Sequence, residues 1–246
     1  FCTRGGKPMP PRGPEGNPTP AAIKLCCRKT QSFQASAPAV VTITQPTENG
    51  LLYTPEEIRA LADVCQEHGL KLHMDGARFA NAVAALGCTP AALTWQAGVD
   101  VLSFGGTKNG MAMGDAVVFF NRANARGFAE RAKQGGQTAS KMRFLSAPWL
   151  SLIKNGAWLD NARHANESAR LFAQKITPIP GIKLAWPVEA NSVFVLLPEH
   201  PANTLRAQGW RFYTMFGGVA RFQFGWDAKP EAIEALADAV ESAMLL

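Results

Sequence analysis

The sequence has few of the features that mark secreted or membrane proteins. Its five cysteines, Cys2, Cys26, Cys27, Cys65 and Cys88, are odd in number and lack metal-ligand spacing, which favours reduced thiols in a cytoplasm over a disulfide framework. No apolar run approaches the roughly 18 to 20 residues that a membrane span requires, and no signal peptide is visible. We therefore expect a cytoplasmic protein without a membrane partner.

Histidine is also scarce. The four histidines, His68, His73, His164 and His200, form no ligand cluster in the sequence, so we expect no metal site. His73 lies on the opposite face of a predicted strand from Met74, which favours a core histidine over a catalytic one.

Charged residues make up only 18% of the sequence and hydrophobic residues 47%, as in ordinary globular proteins. A chain of 246 residues can form one large domain or two modest ones. The net charge of +6 is uneven, because residues 122–143 hold six basic side chains and one acid. A nucleic-acid site would interleave aromatic side chains or contain a recognisable module, and neither is present. Two interpretations remain for this segment, a solvated helix face and a site for a phosphate or carboxylate.

Two short apolar runs each end at a polar side chain. Residues 70–74 predict a buried strand that leads into Asp75 and Arg78, and residues 99–104 predict a second strand that leads into Lys108. An alanine-rich helix after Arg78 completes a predicted βαβ unit. Because ligands bind beyond the carboxyl ends of such strands, we expect Asp75 and Lys108 to meet at one crevice.

A lysine and a carboxylate at one crevice match the needs of pyridoxal phosphate. The lysine forms a Schiff base with the cofactor's aldehyde, and the acid keeps the pyridinium nitrogen protonated. The glycines around Lys108 allow a ligand to approach closely. Taken alone, a strand-end aspartate is usually a turn residue and a lone lysine a solvated charge, so the cofactor hypothesis depends on the pair.

The same motifs are recognisable. HMDGARFANAVAALG at residues 73–87 and SFGGTKNG at residues 103–110 closely resemble the low-specificity L-threonine aldolases, in the β-eliminating lyase group of fold type I pyridoxal-phosphate enzymes. The resemblance covers the chain from about residue 37 onwards, and more weakly the residues before. Supporting segments lie at residues 45–50, 140–146 and 161–166.

The resemblance implies an α/β fold, the remainder of the large pyridoxal-phosphate-transferase sheet domain followed by a smaller α+β domain at the C-terminus. Residues 1–37 would be an irregular remnant of the large domain, residues 38–149 its cofactor-binding part, and residues 150–246 the small domain. The chain would lack the N-terminal third of such enzymes, including the turn that wraps the cofactor phosphate.

The implied reaction is the retro-aldol cleavage of L-threonine or L-allo-threonine to glycine and acetaldehyde, in a homodimer or homotetramer. Lys108 and Asp75 would be catalytic and would hold the cofactor. Two alternatives stay open: another fold type I activity, such as an aminotransferase or a β-elimination lyase, and an inactive truncated copy. A base must also remove the β-hydroxyl proton, and no residue is assigned to it.

Five further residues acquire candidate roles. Arg78 matches a residue at the substrate carboxylate or cofactor phosphate, although a surface arginine at a helix start fits as well. Thr107 would donate to the phosphate or cap the turn. Lys133 and Arg143 match positions near the phosphate, sometimes reached from a neighbouring subunit, or lie on the surface. Arg221 sits in an apolar strand where its charge needs an anionic partner, and the resemblance implies the substrate α-carboxylate.

Local patterns predict the remaining elements. The segment Thr54-Pro55-Glu56-Glu57 is a capping box that begins a helix ending at Gly69. A short helix is predicted between Thr89 and Gly98, and helical residues from 121 to about 175 with a break near Pro148. Further strands are predicted at residues 39–44, 115–120, 182–185, 192–197 and 219–224, and a terminal helix from residue 229.

Overall fold

A computed structural model describes residues 17–29 and 37–245. Most of the predicted irregular remnant at residues 1–37 lies outside the described residues. Its described part contains helix α1 (Pro20–Lys29), which packs against helix α2 (Pro55–Glu67).

The first sheet contains the predicted βαβ unit. Its strands, in spatial order, are β1 (Val40–Thr44), β2 (Lys71–Gly76), β3 (Val101–Gly105) and β4 (Asp115–Phe119). Strands β1 to β3 are parallel, and β4 returns antiparallel to β3. Helix α2 links β1 to β2 and begins with the predicted capping box, while helix α3 (Phe79–Leu86) links β2 to β3. This arrangement confirms the predicted α/β class.

The helix predicted between Thr89 and Gly98 is wrong, because the segment folds as turns followed by a 3-10 turn at Trp95–Ala97. The hydroxyl of Thr94 donates to the carbonyl of Pro90 (2.6 Å), an acceptor that the Thr94 N–H would use in an α-helix. That N–H donates to the carbonyl of Ala91 instead, at 3.2 Å.

Three helices follow the first sheet, α4 (Phe128–Gln134), α5 (Arg143–Lys154) and α6 (Ala157–Ile176). The predicted break near Pro148 is wrong, since this proline lies inside α5. Proline removes the hydrogen bond to the carbonyl four residues earlier, that of Phe144, which is a strongly exposed residue where water can replace the lost donor. The interruption lies instead between α5 and α6, at Gly156, whose φ is 71°.

The second sheet is antiparallel, with strand order β5-β6-β8-β7. Its elements are β5 (Lys183–Leu184), β6 (Ser192–Leu196), helix α7 (Glu199–Ala207), β7 (Tyr213–Thr214), β8 (Val219–Gln223) and helix α8 (Pro230–Leu245). Helices α6 and α8 pack together against this sheet. The predicted strands and terminal helix are confirmed, whereas α7 had no predicted counterpart.

Each sheet has its own hydrophobic core, and α6 contributes to both. Trp158 and Ala162 belong to the core of the first sheet, while Phe172 and Ile176 belong to the core of the second. The domain boundary at residue 150 stays a prediction. Within residues 17–29 and 37–245, no helix combines the length and apolar character that crossing a membrane requires.

A test of this fold uses the glycine that ends β3. We expect Gly105→Ala to lower the free energy of unfolding by about 2 to 3 kcal/mol, because the new Cβ would lie 2.5 Å from the carbonyl oxygen of Ala77 and force backbone to move. The control is Gly87→Ala, which meets no atom within 4 Å and costs about 1 kcal/mol through its φ of 62°. Urea unfolding measures both, and a milder effect at Gly105 than at Gly87 would contradict the packing.

Candidate functional site

The loop after β2 and the turn after β3 are in direct backbone contact. Gly105 lies so close to Ala77 that a side chain at position 105 would overlap its carbonyl group. A Cβ at Gly76 would likewise lie 2.9 Å from the carbonyl oxygen of Ser103. This contact brings the end of β2, which carries Asp75, close to the turn that carries Lys108, at the carboxyl ends of the parallel strands.

The carboxylate of Asp75 is anchored on one side. Its Oδ1 accepts a hydrogen bond from the Ala77 N–H at 3.0 Å, and its main-chain carbonyl accepts one from the Gln45 N–H at 2.8 Å. Its Oδ2 accepts no hydrogen bond from any residue that the structure describes. The half-buried side chain therefore has a fixed orientation and one carboxylate oxygen available to a ligand.

Lys108 lies in a 3-10 turn, Thr107–Asn109, that is anchored on both sides. Before it, the Gly106 N–H donates to Asp115 Oδ1 at 3.0 Å, and after it the Asn109 side chain donates to the Trp158 carbonyl at 2.8 Å. Loss of hydration and the nearby guanidinium of Arg78 lower the pKa of the Lys108 amine, against the opposing charges of Asp75 and Asp115. The turn thus presents an amine that loses its proton more readily than an ordinary lysine.

Arg78 is the first of two arginines at this crevice. It precedes α3, at the helix start that the sequence predicts, and its side chain is half-buried. Burial and the positive charge of Arg221 lower the pKa of Arg78, while Glu48 and Asp75 raise it. It forms no ion pair among the described residues, so its charge is available to an anion.

Arg221, on β8, is the second arginine. Its Nη2 donates to Gln223 Oε1 at 2.7 Å, and its guanidinium lies 5.7 Å from the centroid of the Phe194 ring. Its Nε is buried and has no hydrogen-bond partner in the described part of the chain. The expected anionic partner is therefore replaced by a neutral amide, and an unpaired buried N–H costs about 1 to 3 kcal/mol until an acceptor reaches it.

The other predicted cofactor residues are exposed. Thr107 is exposed beside Lys108 in the same turn, whereas Lys133 on α4 and Arg143 at the start of α5 are exposed elsewhere. Among the described residues, no charge interaction joins Lys133 or Arg143 to Lys108. Their role at the phosphate stays a prediction.

Glu48 had no role in the sequence analysis, although its turn was part of the recognised pattern. The turn is fixed at both ends, because Gln45 donates to Asp75 and a Cβ at Gly50 would lie 2.9 Å from the ring of Phe194. Glu48 therefore lies exposed between the Asp75 loop and β6, where its charge acts on Arg78. An acid just beyond the carboxyl end of a parallel strand was the signal that could have identified it.

His73 is half-buried on the same strand face as Asp75. Its Nε2 lies 3.0 Å from Ser103 Oγ and its Nδ1 lies 3.4 Å from Thr42 Oγ1, so its ring links all three parallel strands. Burial lowers the pKa of His73, and the Asp75 charge partly offsets this effect. Within residues 17–29 and 37–245, no group of three or more acidic, histidine or cysteine side chains is placed to hold a metal ion.

The lowered pKa of His73 makes stability depend on pH. Below about pH 6.5 the unfolded chain binds a proton at this histidine more readily than the folded chain does, so the free energy of unfolding falls with decreasing pH. We expect His73→Asn to flatten this fall between pH 7 and 5, while the exposed control His200→Asn leaves it unchanged. Urea unfolding at several pH values measures the slope; equal slopes in wild type and His73→Asn would contradict the assignment.

Comparisons with known proteins identify the family of this chain. Residues 2–200 match the profile of the beta-eliminating lyase family. The low specificity L-threonine aldolase of Pseudomonas sp. (strain NCIMB 10558) is 52% identical over 245 residues, which span 99% of this chain and 71% of that protein. Its counterpart in Pseudomonas aeruginosa is 52% identical over 96% of this chain and 69% of that protein.

A solved structure extends the agreement to the fold. The threonine aldolase of Leishmania major superposes with a TM-score of 0.85 at 25% identity, over 97% of this chain and 69% of that one. The chain therefore belongs to the beta-eliminating lyase family and, within it, to the low-specificity L-threonine aldolases.

Proposed function

We propose that this chain binds pyridoxal 5'-phosphate and cleaves L-threonine and L-allo-threonine to glycine and acetaldehyde. The names of its relatives support this activity. The observation that supports it is the backbone contact between Gly105 and Ala77, which sets Asp75 near the Lys108 turn, where Arg78 and Arg221 act on the Lys108 amine by charge. A cytoplasmic location is proposed from the cysteine content alone.

The side chains at the crevice fit this cofactor. They supply an amine for the aldehyde and a carboxylate oxygen for the ring nitrogen. Arg221 Nε, which is buried and has no hydrogen-bond partner among the described residues, is available to the carboxylate of the amino acid. Bound there, pyridoxal phosphate supplies an electron sink for the pair of electrons that remains at Cα when the Cα–Cβ bond breaks.

Lys108 is the group that binds the aldehyde. Only a neutral amine has the lone pair that this bond requires, and the lowered pKa of Lys108 favours the neutral form. No ion pair holds Lys108 among the described residues, so its side chain is free to reach a ligand.

Asp75 holds a proton at the ring nitrogen. The Ala77 N–H occupies its Oδ1 and leaves Oδ2 as the acceptor for an N–H of the ligand. A charged carboxylate at this position keeps that nitrogen protonated, which raises the electron demand of the ring.

Arg221 and Arg78 hold the α-carboxylate of the amino acid. A guanidinium binds a carboxylate through two parallel hydrogen bonds, which fix its orientation as well as its position. Fixing the carboxylate turns the scissile bond perpendicular to the ring plane, and orientation of this kind contributes several kcal/mol to the lowering of a barrier.

Exposed apolar side chains on α5 support assembly into a homodimer or homotetramer. The exposed fractions of Phe144, Leu150 and Ile153 are 71%, 59% and 50%, and Met142 beside them is also exposed. Several large apolar side chains exposed on one short helix favour a protein interaction surface, and a second copy of the chain is the proposed partner.

The activity is tested with Lys108→Ala. With added pyridoxal phosphate and L-threonine, we expect wild-type protein to release acetaldehyde and glycine, and Lys108→Ala to lose on the order of a thousandfold in kcat because the variant lacks the side-chain amine that holds the aldehyde at the site. Lys183→Ala, a change at an exposed lysine on β5, is the control and should retain activity.

Product analysis separates the alternatives. Formation of pyruvate from L-alanine would indicate an aminotransferase, and formation of pyruvate and ammonia from L-serine would indicate a β-elimination lyase. Either result without acetaldehyde from L-threonine would contradict the proposed reaction.

Assembly is tested by substituting exposed apolar side chains of α5. We expect Phe144→Ser combined with Leu150→Ser to lower the mass measured by light scattering toward that of one chain, because burial of both side chains between copies favours association by about 2 kcal/mol or more. The exposed Leu245→Ser is the control. A wild-type mass equal to one chain at micromolar concentration would rule out the proposed assembly.

A further inference from the structure

The guanidinium of Arg221 is held by neutral groups that the proposed function does not use. Arg221 and Gln223 lie two residues apart on one face of β8, and Ser192 on β6 pairs with Gln223. Gln223 Oε1 accepts hydrogen bonds from Arg221 Nη2 at 2.7 Å and from Ser192 Oγ at 2.8 Å. Gln223 Nε2 donates to the Asn191 carbonyl at 2.8 Å.

These bonds fix the orientation of the amide. If the Gln223 amide were rotated by half a turn, its NH₂ group would face the N–H groups of Arg221 and its oxygen would face the Asn191 carbonyl. Both contacts would then be repulsive. Asn191 is itself fixed, since its side chain donates to the Phe224 carbonyl at 2.7 Å and its carbonyl accepts from the Phe224 N–H at 3.0 Å. Gln223 therefore presents a fixed acceptor to Arg221.

The acceptor is neutral, which leaves the charge of Arg221 uncompensated. A glutamate at position 223 would form an ion pair at the same distance and would compete with an incoming carboxylate. The amide instead occupies Nη2 and leaves the buried Nε without a partner among the described residues. The Phe194 ring next to the guanidinium further limits how the side chain can move.

We propose that Gln223 is a positioning residue, which aims Arg221 at the α-carboxylate of the amino-acid substrate while leaving its positive charge available. This inference rests on the proposed function, in which Arg221 binds that carboxylate. Gln223 touches neither substrate nor cofactor and acts through Arg221.

The test compares ligands with and without a carboxylate. Glycine and methylamine are titrated into protein loaded with pyridoxal phosphate, and binding is followed by the change in absorbance. We expect Gln223→Met, which keeps the length but removes the acceptor, to weaken glycine binding about tenfold. Gln223→Glu should weaken it further, because its carboxylate competes for Arg221. Methylamine binding should change less than twofold in both variants.

Two comparisons show that the effect passes through Arg221. In an Arg221→Met background, Gln223→Met should cause no further loss of glycine affinity, because Gln223 affects glycine binding only through Arg221. For L-threonine, KM should rise in Gln223→Met about tenfold while kcat changes less than threefold. The exposed Gln66→Met is the control and should leave glycine and methylamine binding unchanged.

Three results would overturn the inference: unchanged glycine affinity in Gln223→Met, an equal loss for methylamine, or a wild-type protein that binds glycine no tighter than methylamine. Failure of the proposed function looks different, because the protein would bind glycine selectively yet release no acetaldehyde from L-threonine.

Discussion

The close approach of the β3 turn to the β2 loop is the contact on which the site depends. Parallel strands deliver their carboxyl ends to one edge of the sheet, and glycine at position 105 lets the two connections touch there. Asp75 and Lys108 are 33 positions apart in sequence, and this contact together with the pairing of β2 and β3 brings the acid and the amine together. The hydrogen bond from Gln45 to Asp75 adds the end of β1 to the same edge.

The electrostatics of the crevice follow from an excess of unpaired positive charge. Arg78, Arg221 and Lys108 act on one another without an ion pair among the described residues, and the acids nearby offset them only in part. Such a site attracts anions and favours a neutral lysine, the two properties that an amino acid and an aldehyde cofactor require. Gln223 preserves this balance, because a neutral amide holds Arg221 without cancelling its charge.

Much of this architecture could be predicted from sequence, because local signals determine it. Short apolar runs ended by Asp75 and by the glycines before Lys108 identify two parallel strands and their loops, and a capping box identifies the start of α2. Long-range contacts determine the rest. The position of Glu48 near the site depends on the packing of its turn between the two sheets. The role of Gln223 depends on its contacts with Ser192 and Arg221, which sequence does not reveal. The predicted break at Pro148 is wrong because a helix tolerates proline where the carbonyl that loses its donor is exposed to water, and sequence alone does not show that exposure.

The central claim is that Lys108 is the amine that binds the cofactor aldehyde. Reduction with borohydride after incubation with pyridoxal phosphate makes that bond permanent, and mass spectrometry of proteolytic peptides locates it. When the cofactor is present at less than one equivalent, we expect a phosphopyridoxyl group on Lys108 and little on the other lysines. Labelling of Lys108 should fall in Asp75→Ala. Labelling spread over exposed lysines such as Lys133 and Lys183, with Lys108 unmodified, would contradict it.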